Sequence, residues 1–454
     1  MTTIEERKEF LNAAESYKKT WESKLRPTDA LDPNDPAVFI SCGGGEIGDL
    51  AITAAPRQLG GMTGGVKAVV FDRYEGFPAQ DAADAYECFD MMDENLLEEK
   101  IKKYVPDPEK LHAIYLEIEK VNTRKACQLG VDENYRILSS PYGPLICMDR
   151  HLTKLMFDKI DIPRVEWGYA SNQEEIDEIA KDFGLPLIIK PVMTSSGHGT
   201  TIARTEEELK QAYDFSVKHA RGGGEEVTVE KFLPELTQGG TEITQIVVRH
   251  FDESGKIVSS FAPPIEHQRP AAVYHESWLP ATISEEAREK CREGAKKIAD
   301  FAGGLGVYSI EQFVFGDEVY NNEVSNRPHD TGMVGKWMMN MDEGALQLHA
   351  GLGLPITQAD LEISRDLYGV AHVIVAPEFG TDDEIKVVKW NAGTVKNYIR
   401  KNNLRADIWY FGKPVAYSDR RMGLAIVFDE DVTKARKLAE QLAHAAEKEI
   451  VYKL

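Results

Sequence analysis

Apolar runs and amphipathic stretches follow one another along the chain and predict a regular succession of strands and helices. Buried strands are predicted by short apolar runs, among them PAVFISC, VKAVVFD, HAIYLEIE and LPLIIKPV. Helices with one apolar face are predicted by DRHLTKLMFDKIDIP, NQEEIDEIAKDFG and VTKARKLAEQLAHAAEKEI. This alternation is typical of an α/β protein. Residues 120–146 are interpreted as a helix and an irregular loop, and residues 261–280, FAPPIEHQRPAAVYHESWLP, as a polar loop rich in aromatic residues.

Two strands, VYSIEQFVF and VYNNEVS, are predicted to form a β-hairpin between residues 305 and 332. If the loop comprises the three residues 316–318, Glu311 falls directly opposite Glu323, whereas a two-residue loop would put the two carboxylates on opposite faces. Facing carboxylates are unfavourable without a cation between them, and Mg²⁺ commonly takes one or two carboxylates together with water and phosphate. The alternative is a pair of solvated glutamates on an exposed face.

A run of polar residues follows the second strand immediately, and it comprises Asn326, Arg327, His329 and Asp330. A segment of this polarity is poor material for a core and typical of an active-site loop. Its position beside the two glutamates makes the hairpin the centre of the predicted site.

The composition narrows the class of protein. The 454 residues are enough for about three domains of ordinary size, and 42% hydrophobic with 28% charged residues is typical of a soluble globular protein. A formal net charge of −22 argues against nucleic acid or an anionic membrane as the main partner. The five cysteines form no CxxC pair, which suits a reducing compartment. With no signal-peptide pattern and no apolar run of roughly 18 residues, a soluble, cytoplasmic protein is predicted.

A glycine-rich turn opens the first sheet. Gly43, Gly45 and Gly48 match G-x-G-x-x-G, and Asp72 ends the following strand, which together form the dinucleotide fingerprint of a Rossmann unit. The alternative is an ordinary strand-to-helix turn, because glycine also allows close backbone approach there. The third strand ends near Glu117, at the edge where open parallel sheets bind ligands.

Two further segments suggest phosphate binding. Lys190 ends an apolar strand, where it either contacts a ligand or extends its amine to solvent. The loop Thr194–Gly199, TSSGHG, lacks the Gly-Lys-Ser/Thr ending of a Walker A motif. It is interpreted as a flexible hairpin whose N–H groups and hydroxyls fold over phosphates, or as a plain hairpin turn.

A cluster of basic residues lies near the C-terminus, in the segment WYFGKPVAYSDRRMGLAIVF. Lys413, Arg420 and Arg421 stand there in otherwise apolar or acidic surroundings. Arginine forks and a lysine are how proteins hold a phosphate group, and a surface hairpin with solvated arginines is the alternative.

In this order, KPVMTSSGHG, VEKFL, TEIT, GVYSIEQFVFGDEVYNNEVSNRPHDTG and FGKPVAYSDRRMG resemble the formate-dependent phosphoribosylglycinamide formyltransferase family. That family is the ATP-grasp form of glycinamide ribonucleotide transformylase in purine biosynthesis. The similarity runs from about Val38 to the C-terminus, and its most specific parts are EVSNRPHDTGM and FGKP…SDRRMG. It implies an ATP-grasp fold with four segments: an N-terminal helical extension and linker without predicted chemistry at 1–36, a Rossmann-like domain at 37–147, the ATP-grasp domain at 148–362 and a small C-terminal α/β domain at 363–454.

The resemblance also implies an ATP site. Arg150 and Lys190 would bind the phosphates, Glu230 and the backbone near Leu233 would lie at the adenine hinge, and Glu242 would hold the ribose. The loop that closes over the triphosphate would contribute Ser195, Ser196, Gly197, His198 and Gly199, with Ser196 counted among the catalytic residues together with Lys190, Arg150 and Asp330. The family usually has lysine where this chain has His198.

For the remaining ligands, the resemblance implies that Glu311 and Glu323 hold Mg²⁺. The ribonucleotide and its amine would be positioned by Glu46, Ile47, Glu117 and Asp330, and its 5′-phosphate would be clamped by Lys413, Arg420 and Arg421. A homodimer is also implied.

The implied reaction has two steps. Formate attacks the γ-phosphoryl group of ATP to give formyl phosphate, and the amine of glycinamide ribonucleotide then takes the formyl group. The competing hypotheses are another ATP-grasp acyl-phosphate ligase or carboxylase acting on a different phosphorylated amine, an NAD-dependent oxidoreductase that uses GGGEIG, and a nucleotide-binding regulatory protein without catalysis.

Overall fold

The first part of the chain forms a parallel sheet with helices against it. The computed structural model describes residues 3–193, 199–220, 224–270, 273–381 and 383–453. The N-terminal helix is α1 Ile4–Glu22. The elements after it are β1 Ala37–Cys42, α2 Glu46–Leu59, β2 Val66–Asp72, β3 Ala85–Cys88, α3 Glu94–Tyr104, β4 His112–Leu116, α4 Thr123–Glu133, β5 Ile137–Leu138 and α5 Gly143–Met148. The strand order is β3-β2-β1-β4-β5, and every pairing is parallel. Residues 120–146, predicted as a helix and an irregular loop, also contribute the edge strand β5.

The second part forms a smaller antiparallel sheet. Its elements are α6 Arg150–Lys159, β6 Trp167–Ala170, α7 Gln173–Phe183, β7 Leu187–Pro191, β8 Thr201–Ala203, α8 Glu206–Lys218 and β9 Val227–Lys231. The order is β6-β9-β7-β8, and an apolar cluster that includes Ile176, Leu187 and Leu209 fills the space under α7 and α8. β7 and β8 pair antiparallel, as predicted for a hairpin, while residues 194–198 between them lie outside the described residues.

A large antiparallel sheet follows, together with a small sheet of three strands. The elements of this part are β10 Thr241–Phe251, β11 Ile257–Phe261, β12 Ile265–Gln268, β13 Glu276–Leu279, α9 Glu285–Ala302, β14 Gly306–Phe315, β15 Glu318–Ser325, α10 Gly335–Met338, α11 Glu343–Leu352, β16 Tyr368–Val375, β17 Ile385–Trp390, α12 Ala392–Lys401, β18 Ala406–Tyr410, β19 Val415–Ala416, β20 Arg421–Asp429, α13 Val432–Glu447 and β21 Ile450–Lys453. The small sheet has the strand order β19-β17-β21. In the large sheet, the strand order is β15-β14-β10-β12-β13-β16-β20-β18, with β11 also on β10. The segment 261–280, predicted as a polar loop, instead supplies β12 and β13. Because β13 pairs with β16, the sheet continues across residue 362.

The central hairpin reaches its predicted pairing by a different route. Phe315 lies opposite Glu318, so the loop between β14 and β15 has two residues, and the predicted three-residue loop is wrong. A β-bulge at Asn322 then shifts the register by one residue, and Glu311 lies opposite Glu323. The facing carboxylates are therefore confirmed, and the bulge is their cause.

The predicted polar lead, α1, packs into the molecule. Leu11 and Trp21 are buried, and Thr3 closes the N-terminus of α1 with a capping box. Arg7 is 2% exposed and forms ion pairs with Asp149 at 3.1 Å and with Glu226 at 2.5 Å. The helix thus joins the start of α6 to the segment that leads into β9. Within the described ranges, no helix is long and apolar enough to cross a membrane.

Candidate active site

Each of the two facing glutamates forms an ion pair with an arginine. Arg269 Nη2 lies 3.0 Å from Glu311 Oε1, and Arg150 Nη2 donates to Glu323 Oε1 at 2.5 Å. Burial alone would raise the pKa of both carboxyls, but Arg269 holds the pKa of Glu311, and Arg150 that of Glu323, below the ordinary value. His329 Nε2 also lies 3.1 Å from Glu311. Two ionised carboxylates on adjacent strands fit a hard cation that keeps its other positions for phosphate and water.

Lys190 is fixed by a carboxylate in the neighbouring strand. Its Nζ donates to Glu230 Oε2 at 2.7 Å, and Lys154 Nζ lies 3.0 Å from Glu230 Oε1. Burial opposes the charge on Glu230, yet Lys154 and Lys190 lower its pKa to about 2. Lys154 also donates to the carbonyl of Asn322 at 2.9 Å and so holds the bulge residue. The side chain of Glu230 is committed to these two lysines, which leaves its backbone for any contact with adenine.

Arg150 connects the small sheet with the hairpin. It begins α6, and its Nη1 donates to the carbonyl of Pro191 at the end of β7 at 2.6 Å, while Nη2 holds Glu323. The structure thus brings Arg150 and Lys190 to the same carboxylate, since Lys190 Nζ is 3.8 Å from Glu323. Both predicted phosphate-binding cations lie beside the predicted metal ligands.

The residues predicted to contact adenine and ribose lie just after β9 and on β10. Leu233 lies two residues after the end of β9 and is half-buried. Glu242 lies on β10, and burial together with the nearby Glu311 carboxylate raises its pKa to about 7. Of the predicted phosphate loop only Gly199 is described, with a φ of +73° that favours glycine; Ser195, Ser196, Gly197 and His198 lie outside the described residues.

Asp330 is held by two arginines. Arg269 Nη2 donates to its Oδ1 at 2.7 Å, and Arg421 Nη1 donates to its Oδ2 at 2.6 Å. Despite burial, Arg269, His329 and Arg421 hold the pKa of Asp330 well below its usual range. Arg269 was not predicted as a site residue, because it follows β12 in the segment interpreted as a loop.

The predicted phosphate clamp surrounds the N-terminus of α2. Lys413 Nζ lies 2.9 Å from Glu46 Oε2, and Arg421 Nη2 lies 3.9 Å from Glu46 Oε1. Arg420 donates to the carbonyl of Val415 at 2.8 Å. Ile47, next to Glu46, is buried. The structure therefore brings Lys413 and Arg421 to the glycine turn of the first sheet, whereas Arg420 Nη2 reaches the hydroxyl of Tyr74, just after β2, at 3.4 Å.

Glu117 has an unusual environment at the end of β4. It is 5% exposed, and its Oε2 is a buried atom without a hydrogen-bond partner among the described residues. A Cβ atom at Gly43 would come within 2.1 Å of this oxygen, so the turn must be glycine for the carboxyl to fit. Burial raises the pKa of Glu117 to about 8; Arg327 acts against this, while Glu46, Glu119 and Asp72 add to it. Arg327 itself donates to Glu119 at 2.5 Å.

The acidic residue of the apparent dinucleotide fingerprint has a structural partner. Asp72 Oδ2 accepts from the N–H of Gly44 at 2.9 Å and its Oδ1 from the N–H of Arg73 at 2.7 Å. The side chain is 5% exposed. Because the carboxylate ties down the glycine turn, it is not positioned to bind a ribose from solvent, and the oxidoreductase hypothesis loses its main support.

Two runs of ion pairs meet at the facing glutamates. On the β7–β9 side, the paired residues are Lys154, Glu230, Lys190, Glu323 and Arg150. On the side of the glycine turn, they are Glu311, Arg269, Asp330, Arg421, Glu46 and Lys413. Among the residues that the structure describes, no cluster of three or more His, Cys, Asp or Glu is arranged to hold a metal ion.

Comparison with known proteins gives two family matches. Residues 155–342 match the model of the ATP-grasp domain, and residues 396–446 match the model described as PurT, C-terminal. The chain is 35% identical over 404 residues to the formate-dependent phosphoribosylglycinamide formyltransferase of Sulfurisphaera tokodaii, an alignment that covers 88% of this chain and 94% of the relative.

Solved structures share the fold. N5-carboxyaminoimidazole synthetase from Staphylococcus aureus complexed with ADP has a TM-score of 0.74 at 19% identity, covering 92% of this chain and 99% of that one. The structure described as glycinamide-RNase-transformylase T from Mycobacterium tuberculosis has a TM-score of 0.68 at 22% identity, covering 90% and 99%. These similarities confirm the predicted ATP-grasp fold with a Rossmann-like first sheet.

Proposed function

This chain belongs to the formate-dependent phosphoribosylglycinamide formyltransferase family, and we propose that it uses Mg·ATP to join formate to the amine of glycinamide ribonucleotide. The observation that carries this proposal is the meeting of two charged surfaces at Glu311 and Glu323. Cations that would bind the triphosphate lie on one side of these two glutamates, and cations that would bind a second phosphate lie on the other side. An acyl phosphate formed between them would reach the amine without leaving the site.

The nucleotide side would act mainly by charge and position. Glu311 and Glu323 would hold Mg²⁺, which when bound neutralises charge on the transferring phosphoryl group. Arg150, which contacts Glu323, would turn its guanidinium to the phosphates. Lys190 would stay oriented by Glu230, because that carboxylate remains ionised over the working pH range. The role of the loop 195–199 stays a prediction from the sequence.

On the amine side, Lys413, Arg420 and Arg421 would bind the 5′-phosphate of the ribonucleotide. In the absence of this phosphate, Lys413 and Arg421 contact Glu46 and Asp330. A dianionic phosphate would compete for the cations and leave the carboxylates to contact the glycinamide group. Binding of the ribonucleotide would therefore rearrange the residues that contact it.

The attacking amine must lose a proton, and Glu117 is better suited to accept it than Asp330. Asp330 is bound to two guanidinium groups, which makes it a weak base. Glu117 has an oxygen without a hydrogen-bond partner in the described part of the chain, and its pKa of about 8 is close to that of an α-amino group. In the reaction, the amine nitrogen bonds to the formyl carbon, the carbon–oxygen bond to phosphate breaks with its electron pair, and the proton passes to Glu117.

The experiment is a coupled assay of ADP release with Mg·ATP and formate, with and without glycinamide ribonucleotide, followed by mass spectrometry of the product. ADP release that requires the amine, together with a gain of one formyl group on it, is expected. ADP formed with formate but without any formylated ribonucleotide would contradict the proposed acceptor. No formate-dependent ADP release would contradict the proposed reaction.

A further inference from the structure

Arg269 occupies the boundary between the two halves of the site. Its Nη2 lies 3.0 Å from Glu311 Oε1 and 2.7 Å from Asp330 Oδ1, so one nitrogen contacts both a predicted metal ligand and a residue of the amine side. The side chain is 11% exposed. Its Nε is a buried donor without a partner among the described residues. The ring of Tyr274 lies 5.9 Å from the guanidinium and helps to fix its orientation.

The proposed reaction needs a site for the acid at this same boundary. One oxygen of the acid must reach the γ-phosphoryl group beside the predicted metal ligands. The carbon of the acid must later be reached by the amine. A small carboxylate that approaches a triphosphate is repelled unless a cation accompanies it. Arginine is the side chain whose fork matches a carboxylate, and Nε together with Nη2 is such a fork.

Four further cations of the site lie to either side of this boundary. Arg150 and Lys190 contact Glu323 on the nucleotide side. Lys413 contacts Glu46 at the glycine turn. Arg421 contacts the far oxygen of Asp330, away from the oxygen that Arg269 holds.

We propose that Arg269 is the binding residue for the acid substrate, a one-carbon carboxylate. This inference rests on the proposed function. The carboxylate binds the Nε–Nη2 edge and directs one oxygen at the γ-phosphorus. The new phosphorus–oxygen bond forms as the bond to the β-phosphate oxygen breaks, and ADP leaves with that electron pair. Arg269 then remains beside the carbonyl oxygen of the acyl phosphate, where negative charge develops when the amine attacks.

The test compares Arg269→Lys and Arg269→Gln with the wild type in steady-state kinetics for each substrate. Lysine keeps the charge but loses the fork, so the KM for formate is expected to rise about tenfold or more in both variants. The KM for ATP and that for glycinamide ribonucleotide are expected to stay within about twofold of the wild type in Arg269→Lys. Arg436→Gln is the matched control, because it breaks the ion pair of a half-buried arginine with the buried Glu276 outside the site.

The possible outcomes distinguish the role of Arg269 from the proposed formyltransferase function. A wild type that consumes formate, with an unchanged KM for formate in Arg269→Lys, overturns the role of Arg269 alone. Equal increases in all three KM values would mean that Arg269 only holds its neighbours, and would also overturn it. A wild type that does not use formate overturns both proposals.

If the variants do not fold, a crystal structure of the wild type with ADP, Mg²⁺ and formate decides the question. Formate within hydrogen-bond distance of Arg269 Nε and Nη2 supports the inference. Formate bound to another cation, such as Arg327, overturns it.

Discussion

Replacing Glu117 with glutamine is expected to stabilise the protein and to inactivate it. The carboxyl is buried, and its pKa is raised from the ordinary 4.5 to about 8. The folded protein therefore holds a proton that the unfolded chain has already released, and folding stability falls as the pH rises through this interval. At 1.36 kcal/mol per pKa unit, the raised pKa lowers the free energy of unfolding by about 3 kcal/mol at pH 7, where the folded protein keeps the proton, and by about 5 kcal/mol above pH 8, where the buried carboxyl ionises.

Glutamine has the same shape and no charge, so Glu117→Gln avoids this cost. The difference in unfolding free energy between variant and wild type is expected to be small near pH 4.5 and to grow to about 3 kcal/mol in favour of the variant at pH 7. Loss of the proton acceptor is expected to lower kcat/KM for the amine by about 10²–10⁴-fold.

The assays are thermal unfolding at a series of pH values and steady-state kinetics with varied ribonucleotide. Glu440→Gln, an exposed site on α13, is the control for loss of a carboxylate. A stability difference that does not change with pH would refute the assignment of a raised pKa to Glu117. Wild-type kcat/KM in Glu117→Gln would refute its role as base.

Three further variants test other parts of the structure. Glu323→Gln is expected to abolish turnover, since it removes metal charge, and to leave the fold intact, since no core packing is lost, with some loss of stability because Arg150 and Lys190 lose a charged partner. Exposed Glu318→Gln on the same strand is the control, and activity in Glu323→Gln would remove the metal assignment. Lys413→Met is expected to raise the KM for glycinamide ribonucleotide and not the KM for ATP. An equally large rise in the KM for the dephosphorylated substrate would contradict a phosphate clamp. Arg7→Ala is expected to destabilise the fold by about 3–5 kcal/mol, because it leaves two carboxylates without their buried partner. Unfolding at the wild-type temperature in calorimetry would show that this residue does not hold α1 in place.

Much of the site could be predicted because local patterns encode it. The hairpin that carries Glu311 and Glu323 follows from two strands and a short turn, and the basic cluster around Arg421 is visible as a departure from acidic surroundings. The predicted loop was nevertheless one residue too long. The bulge at Asn322 corrects this difference, and it is held by Lys154 in a distant helix, so no local pattern could show it.

The residues that were missed depend on contacts between distant parts of the chain. Arg269 lies between two strands of only four residues, β12 and β13, which were interpreted as a loop because so short a segment carries little periodicity. Its partners Glu311 and Asp330 lie 42 and 61 residues further along the chain. Arg7 lies in a helix whose polar composition gives no sign of the buried ion pairs with Asp149 and Glu226.

The most direct test of the acyl phosphate uses formate labelled with ¹⁸O at both oxygens. If a formate oxygen attacks the γ-phosphorus and the amine then displaces phosphate, one ¹⁸O appears in inorganic phosphate and one stays in the formyl group of the product. Mass spectrometry of both products after a single turnover measures this directly. Inorganic phosphate without ¹⁸O, beside a formylated ribonucleotide, would contradict the account.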